Sequence, residues 1–230
     1  MLNSYEQRIP VFVDKPLSTD YGNCETLYNL AEQVRQPLFI GFNRRYLPIL
    51  QEPLSLESEA SPLLFLRWEK NRHNLPGLPR TFVFDDFIHP LDSVNRAAVV
   101  NTEDLLISAQ MLGSGVNRID VQWQSGSTFI QASMNRLNGM TNERVSLNYE
   151  NRSYLFDSFQ AGVLQENNQE QIIRLSDWTP MLATKGFYGM IEHWLDVVSQ
   201  GKLTEDVIAR NLSSHLLAET ICQQVEKCIR

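Results

Sequence analysis

The 230-residue chain is 43% hydrophobic and 20% charged, with 11 Gly and 10 Pro; this composition excludes disorder, collagen and coiled coil, and the length suffices for a sizeable core. Its 27 acidic residues outnumber 20 basic ones, for a formal charge of -7, which opposes generic attraction to nucleic acid or to an anionic membrane. Cys24, Cys222 and Cys228 form no C-x-x-C pair, the first residues carry no signal-peptide pattern, and no apolar run reaches about 18 residues, so a soluble cytoplasmic protein with reduced thiols is expected.

Ile9 to Val13 is an almost unbroken apolar, β-branched run, the pattern of a strand buried on both faces in a parallel sheet. Ser18, Thr19 or Asp20 can cap a following helix to about Val34, because Cys24, Leu27, Tyr28, Ala31 and Val34 recur at helical spacing. Pro37 to Phe42 reads as a second buried strand, which makes a βαβ unit with a parallel pair. From Pro62 the pattern becomes separate strands: Leu63 to Glu69, Arg118 to Trp123, Thr128 to Met134, Val145 to Tyr149 and Tyr154 to Phe156. Turns at Ser125-Gly126-Ser127 and Glu150-Asn151-Arg152, with Ile119, Val121 and Trp123 alternating with polar residues, predict an antiparallel sheet with one covered face. A helix is expected from about Phe87 to Val99. Two more are expected to cover the sheet, one striped by Phe187, Met190, Ile191, Trp194, Leu195 and Val198 and closed by Gly201, the other by Leu212, His215, Leu216, Ile221, Val225 and Ile229.

Three groups of residues could carry chemistry. Lys15, in Val13-Asp14-Lys15-Pro16, follows the first strand where open α/β sheets place their ligand crevices; it is either a hydroxyl- or carbonyl-polarising group or a solvated surface lysine. In Asp85-Asp86-Phe87-Ile88-His89-Pro90-Leu91-Asp92, α-helical spacing would set Asp85 and Asp92 on the side of His89, where a carboxylate could orient the imidazole for acid-base work. The competing reading is an aspartate cap before a structural histidine, with Pro90 in the first turn. Arg67, Lys70, Arg72, His73 and Arg80 form a basic cluster opposed only by Glu69, and Arg44 and Arg45 follow the second strand; both sets suit an anionic or polyhydroxylated substrate or the protein's own acids. His215 and Glu219 read as structural. No G-x-G-x-x-G, HExxH, G-x-S-x-G or phosphate-loop motif occurs.

DKPLS, GFNRRYLP, EKNR, DDFIHPLD, GFYGMIEHWLDVV and SSHLLAE, in this order over nearly the whole chain, resemble the Gfo/Idh/MocA oxidoreductases, most closely their MviM-like branch. The resemblance implies an α/β protein. Residues 1–43 would be the closing part of a Rossmann dinucleotide-binding domain, and residues 44–230 an α/β substrate-binding and oligomerisation domain with a large, mostly antiparallel open sheet covered by helices. On this view the chain starts inside the first domain and lacks its glycine-rich half. The family's E-K-P lysine falls on Lys15, with Asp14 in place of glutamate, and its D-x-x-x-H pair falls on Asp85 and His89, which makes Lys15, Asp85 and His89 the implied catalytic residues. Asp14, Lys15 and Pro16 would meet an NAD or NADP cofactor, and Arg44, Arg45, Lys70, Arg72, Asp85 and His89 a sugar or polyol. A homo-oligomer formed through the open sheet is also implied, with no nucleic-acid, membrane or metal partner. The rival expectation is a noncatalytic sugar-binding or dimerising module.

Overall fold

The computed structural model describes residues 8–98, 101–113 and 115–228. The first seven residues of the expected opening domain, the expected helix end at Val99, Ile229 and the side chain of Cys228 lie outside the described set.

Val11–Asp14 forms β1 and Leu38–Gly41 forms β2, paired in parallel with Val13 opposite Ile40. Every residue of β2 is buried, as its continuous apolar run requires. β1 departs from the expected two-sided burial: Val11 is buried, but Phe12 and Asp14 are exposed, because β1 pairs on one side only among the described residues. Between the two strands runs α1 (Tyr21–Gln33), whose N-cap is Asp20; its carboxylate accepts the Asn23 N–H at 2.9 Å. Cys24, Tyr28 and Ala31 turn inward from α1.

After a 3₁₀ turn at Asn43–Tyr46 and α2 (Pro48–Ser55) come the strands of the large sheet. They are β3 (Phe65–Asn71), β4 (Leu106–Leu112), β5 (Gly115–Ser125), β6 (Thr128–Asn135), β7 (Asn142–Tyr149), β8 (Arg152–Phe156), β9 (Ala161–Glu166) and β10 (Gln169–Arg174), in the order β10-β9-β8-β7-β3-β6-β5-β4. All pairs are antiparallel except β3 with β6. One face is dry: Leu66, Trp68, Val121, Ala132, Met134 and Leu147 are buried on it. On the other face Phe65 stacks on Phe129, itself 40% exposed, and Leu155 of the same face is exposed too.

The dry face is covered by one helical stretch. It opens with a turn at Pro79–Thr81, widens into a π-helical turn at Phe82–Phe87 and continues as α3 (Ile88–Val94). The helix expected from Phe87 to Val99 therefore starts earlier and ends at Val94; Pro90 lies in the first turn of α3, where its missing N–H breaks no bond within α3.

Met181–Thr184 forms α4, Phe187–Gln200 forms α5 and Glu205–Cys228 forms α6. α6 lies against α3 and α1. α5 does not cover the large sheet as expected. Its Trp194 packs on Phe12 and Phe39 of the two-stranded pair, while Ile191, Leu195 and Val198 of the predicted apolar stripe stay exposed. No helix among the described residues is long and apolar enough to cross a membrane.

Candidate active site

The two strands of the small sheet end side by side, so the residues that follow them, Lys15 after β1 and Arg44 after β2, emerge at the same carboxyl edge. The peptide bond between Lys15 and Pro16 is cis. The Lys15 N–H donates to the Asp14 carboxylate at 2.9 Å, and the Lys15 ammonium reaches across to donate to the backbone carbonyl of Asp85. That carbonyl lies in the π-helical turn, just ahead of α3. Burial lowers the Lys15 pKa from the usual lysine value, against the opposing pull of Asp14, Asp86 and Asp85.

His89 is buried on the same stretch, and its Nδ1 has no hydrogen-bond partner. Burial first, then the charges of Lys70, Arg44, Lys15 and Arg72, hold its pKa well below the ordinary histidine value, so the ring is neutral. Lys15, Asp85 and His89 thus converge on one turn. The expected carboxylate-imidazole contact is not made. The extra residue in the π turn carries the Asp85 side chain off the imidazole's side and into solvent. Asp92 is turned the other way, to Arg45, whose Nε and Nη2 donate to it at 2.9 and 2.5 Å.

The buried carboxylate of this turn is Asp86 and not the Asp85 expected beside His89. It accepts from Arg72 at 2.9 and 2.6 Å and from Arg136 at 3.1 Å, and Lys70 lies 2.9 Å away. These hydrogen bonds and charges outweigh burial and hold Asp86 far below the carboxylate range. The β3–β7 register sets Lys70 directly opposite Glu143, at 3.6 Å. Glu143 in turn accepts from Arg44 at 2.6 Å and from Trp68 Nε1 at 3.1 Å, and the neighbouring Lys70 and Arg44 charges keep it ionised despite its burial. The cluster holds Arg44, Lys70, Arg72 and Arg136 against Asp86 and Glu143, so positive charge is in excess beside Lys15 and His89.

The expected substrate-binding residues separate accordingly. Lys70 is 2% exposed and Arg45 is sealed onto Asp92, so both are spent on protein acids. Arg44 is largely covered by Glu143. Arg72, about one third exposed, and Asp85 keep solvent access. The wider basic cluster also divides: Arg67 pairs with Glu69 at 2.7 Å, and Arg80 donates to the Thr19 carbonyl at 3.0 Å. Among the described residues no His, Cys, Asp or Glu group could hold a metal ion.

His215 and Glu219, read as structural, fasten the loop that carries Lys15. The Leu17 N–H donates to His215 Nε2 at 3.0 Å and the Tyr21 N–H to Glu219 at 2.7 Å. With Nε2 accepting, the ring proton sits on Nδ1, which donates to the Asn211 carbonyl at 2.7 Å. Asn43 donates from Nδ2 to the Lys185 carbonyl at 2.8 Å, tying the end of β2 to the start of α5.

The fold recurs in known proteins, although no family model matches the chain. The chain is 28% identical over 203 residues to YceM of Salmonella typhimurium, whose name assigns it to the oxidoreductases; the match covers 86% of this chain and 64% of YceM, a little under two thirds of its length. At 21% identity the MviM dehydrogenase of Clostridium difficile superposes with a TM-score of 0.79, covering 98% of this chain and 76% of that one. At 12% identity a levoglucosan dehydrogenase solved with NADH and levoglucosan superposes with a TM-score of 0.74, covering 97% and 73%; these two show the shared fold. A Gfo/Idh/MocA family oxidoreductase from Vibrio cholerae is 52% identical and superposes with a TM-score of 0.94 over 99% of this chain and 74% of that one. Likeness of that extent, in sequence as well as backbone, makes this chain a member of the Gfo/Idh/MocA family of oxidoreductases.

Proposed function

We propose that the chain supplies the hydroxyl-binding and proton-handling side of an NAD- or NADP-dependent oxidoreductase acting on a sugar, polyol or related small molecule. Residues 1–43 would close a dinucleotide-binding domain, and residues 44–230 would form the substrate and assembly domain. The observation that carries this reading is the bond from the Lys15 ammonium to the Asp85 carbonyl, which joins the strand edge of the small sheet to the turn that bears His89. The levoglucosan dehydrogenase of the same fold holds NADH and a sugar, which supports the cofactor and the substrate class.

A nicotinamide ring fits this edge. Lys15 stands where open α/β sheets bind ligands, and Asp14, Lys15 and Pro16 are the residues that would flank the ring. When bound, the dinucleotide supplies the hydride acceptor or donor. The chain's own residues do the rest. Arg72 and Asp85, with solvent access, would hold substrate hydroxyls. Lys70, Arg44 and Arg45 would act from behind, keeping Asp86, Glu143 and Asp92 ionised and in place. Lys15 would polarise the reacting oxygen while neutral His89 takes its proton. The excess positive charge stabilises an alkoxide and so favours ionisation of the substrate hydroxyl; it also keeps the imidazole neutral and free to accept a proton, while lowering its basicity. The exposed sheet face with Phe129 and Leu155 suits pairing of two copies, and the expected cytoplasmic location belongs to the same reading.

Calorimetry with NADH and NADPH, followed by nicotinamide absorbance with sugars and polyols, tests the proposal. It is applied to the purified chain and to the chain fused to the part of the Vibrio cholerae relative that the match leaves uncovered. The expected result is cofactor binding and substrate-dependent turnover by the fusion. A fusion that binds cofactor and oxidises none of the substrates would leave the noncatalytic module as the function.

A further inference from the structure

Beside Arg44 lies a cavity of about 270 Å³ whose lining includes four arginines, Arg44, Arg45, Arg96 and Arg210, and no acidic residue. Three of the guanidinium groups have a carboxylate of their own outside the lining: Arg44 with Glu143 at 2.6 Å, Arg45 with Asp92 at 2.5 Å and Arg96 with Glu57 at 2.7 Å. Arg210 has none. It stands 3.9 Å from the Asp92 carboxylate that Arg45 already occupies, and its firm contact is with the neutral Asp92 carbonyl at 2.7 Å. Its Nε is buried with no hydrogen-bond partner. Asp92 is itself satisfied by Arg45 and by the Ser214 hydroxyl at 2.8 Å, so it cannot turn to neutralise a second guanidinium. Burial, with the neighbouring Arg45 and Arg96 charges, pulls Arg210 down to about 10 against the upward pull of Asp92.

One positive charge is therefore left over, facing a small polar-walled space in which Gln51 and Ser93 add neutral hydrogen-bonding groups. Convergent arginine forks match the paired oxygens of carboxylates and phosphates, and a space of this size admits a small molecule and not a dinucleotide. We infer that this cavity is a binding site for a small oxyanion, a carboxylate or a phosphate group, held chiefly by Arg210 and Arg96. The inference stands apart from the proposed redox reaction, since it uses neither Lys15 nor His89.

Thermal unfolding of the whole chain at fixed ionic strength tests it, with sodium phosphate, sodium malonate or sodium chloride as the added salt. Specific binding predicts a saturable rise in Tm of about 3 °C at tenfold excess over the half-saturating concentration, with phosphate, malonate or both, and none with chloride. The stronger of the two identifies the preferred oxyanion. Arg210→Gln removes the surplus charge, and Gln51→Glu supplies an internal carboxylate while leaving every arginine in place. Each variant is compared with its own anion-free baseline, and each should lose the saturable rise. Phosphorus NMR line broadening by the wild type, absent in Gln51→Glu, gives a readout independent of stability. A rise that grows linearly with salt, or a saturable rise that persists in both variants, overturns the inference, because surface exclusion of these salts stabilises any protein in that way.

Discussion

Lys15 donates from its ammonium to the backbone carbonyl of Asp85, a residue 70 positions away in the chain. The contact joins the loop that follows β1 to the π-helical turn that precedes α3. A second anchor, His215, holds the loop from the opposite side through Leu17.

That anchor gives a prediction. Replacing His215 with Phe removes the acceptor for the buried Leu17 N–H and should cost about 1–3 kcal/mol. Urea unfolding measures the loss, and His215→Gln, which retains an acceptor, should recover part of it.

Asp86 is the counter-charge for Lys70, Arg72 and Arg136. Asp86→Asn leaves two largely buried cations and a half-buried one without it, and should destabilise the fold by about 3–5 kcal/mol. Asp85→Asn, one residue away and exposed, should change stability by less than about 0.5 kcal/mol. Equal losses in the two variants would contradict the assignment of Asp86 as the hub.

Acid should weaken the protein before its carboxylates titrate. Burial depresses both His89 and His215, so each is neutral in the fold and binds a proton more readily when unfolded. Their contribution is complete above the ordinary histidine value of about 6.5 and is lost as pH falls below it. Asp86, Asp92 and Glu143 are all held below their usual values, so their contribution is lost only at lower pH. Tm should therefore drop between about pH 7 and pH 5, with a shallower slope in His215→Gln.

Gly186 takes φ +79° at the start of α5, and a Cβ there would run into the Asn43 carbonyl and the Tyr46 backbone. Gly186→Ala combines a left-handed backbone with a backbone clash and should cost about 3 kcal/mol. A loss below about 1 kcal/mol would show that α5 can shift away from the 3₁₀ turn.

Much of this architecture is legible in the sequence where a local signal decides it. The apolar run of β2, the Asp20 cap, and the turns at Gly126 and Asn151, both at positive φ, act over a few residues. β9 and β10 are not legible, because β10 is exposed along almost its whole length and shows no alternation; the one local clue is Asn167-Asn168, both left-handed, which marks a two-residue hairpin. In β4 the half-buried Ile107, Ala109 and Met111 do alternate with exposed residues, a clue within reach of the pattern. Lys15 and His89 are found by motif, but the choice of Asp86 over Asp85 as the inward carboxylate depends on a π turn that α-helical spacing cannot anticipate. Glu143 and Arg136 enter the site only through the pairing of β3 with β7 and β6, contacts between segments more than 60 residues apart.

The account turns on Lys15 polarising the substrate's reacting oxygen while His89 takes its proton, and hydride transfer in the fused protein at saturating cofactor tests this most directly. Lys15→Met and His89→Gln should each lower kcat by about 10²–10⁴-fold, with the NADH dissociation constant moving by less than about threefold. Turnover unchanged in both variants, or lost only in proportion to weakened cofactor binding, would contradict it.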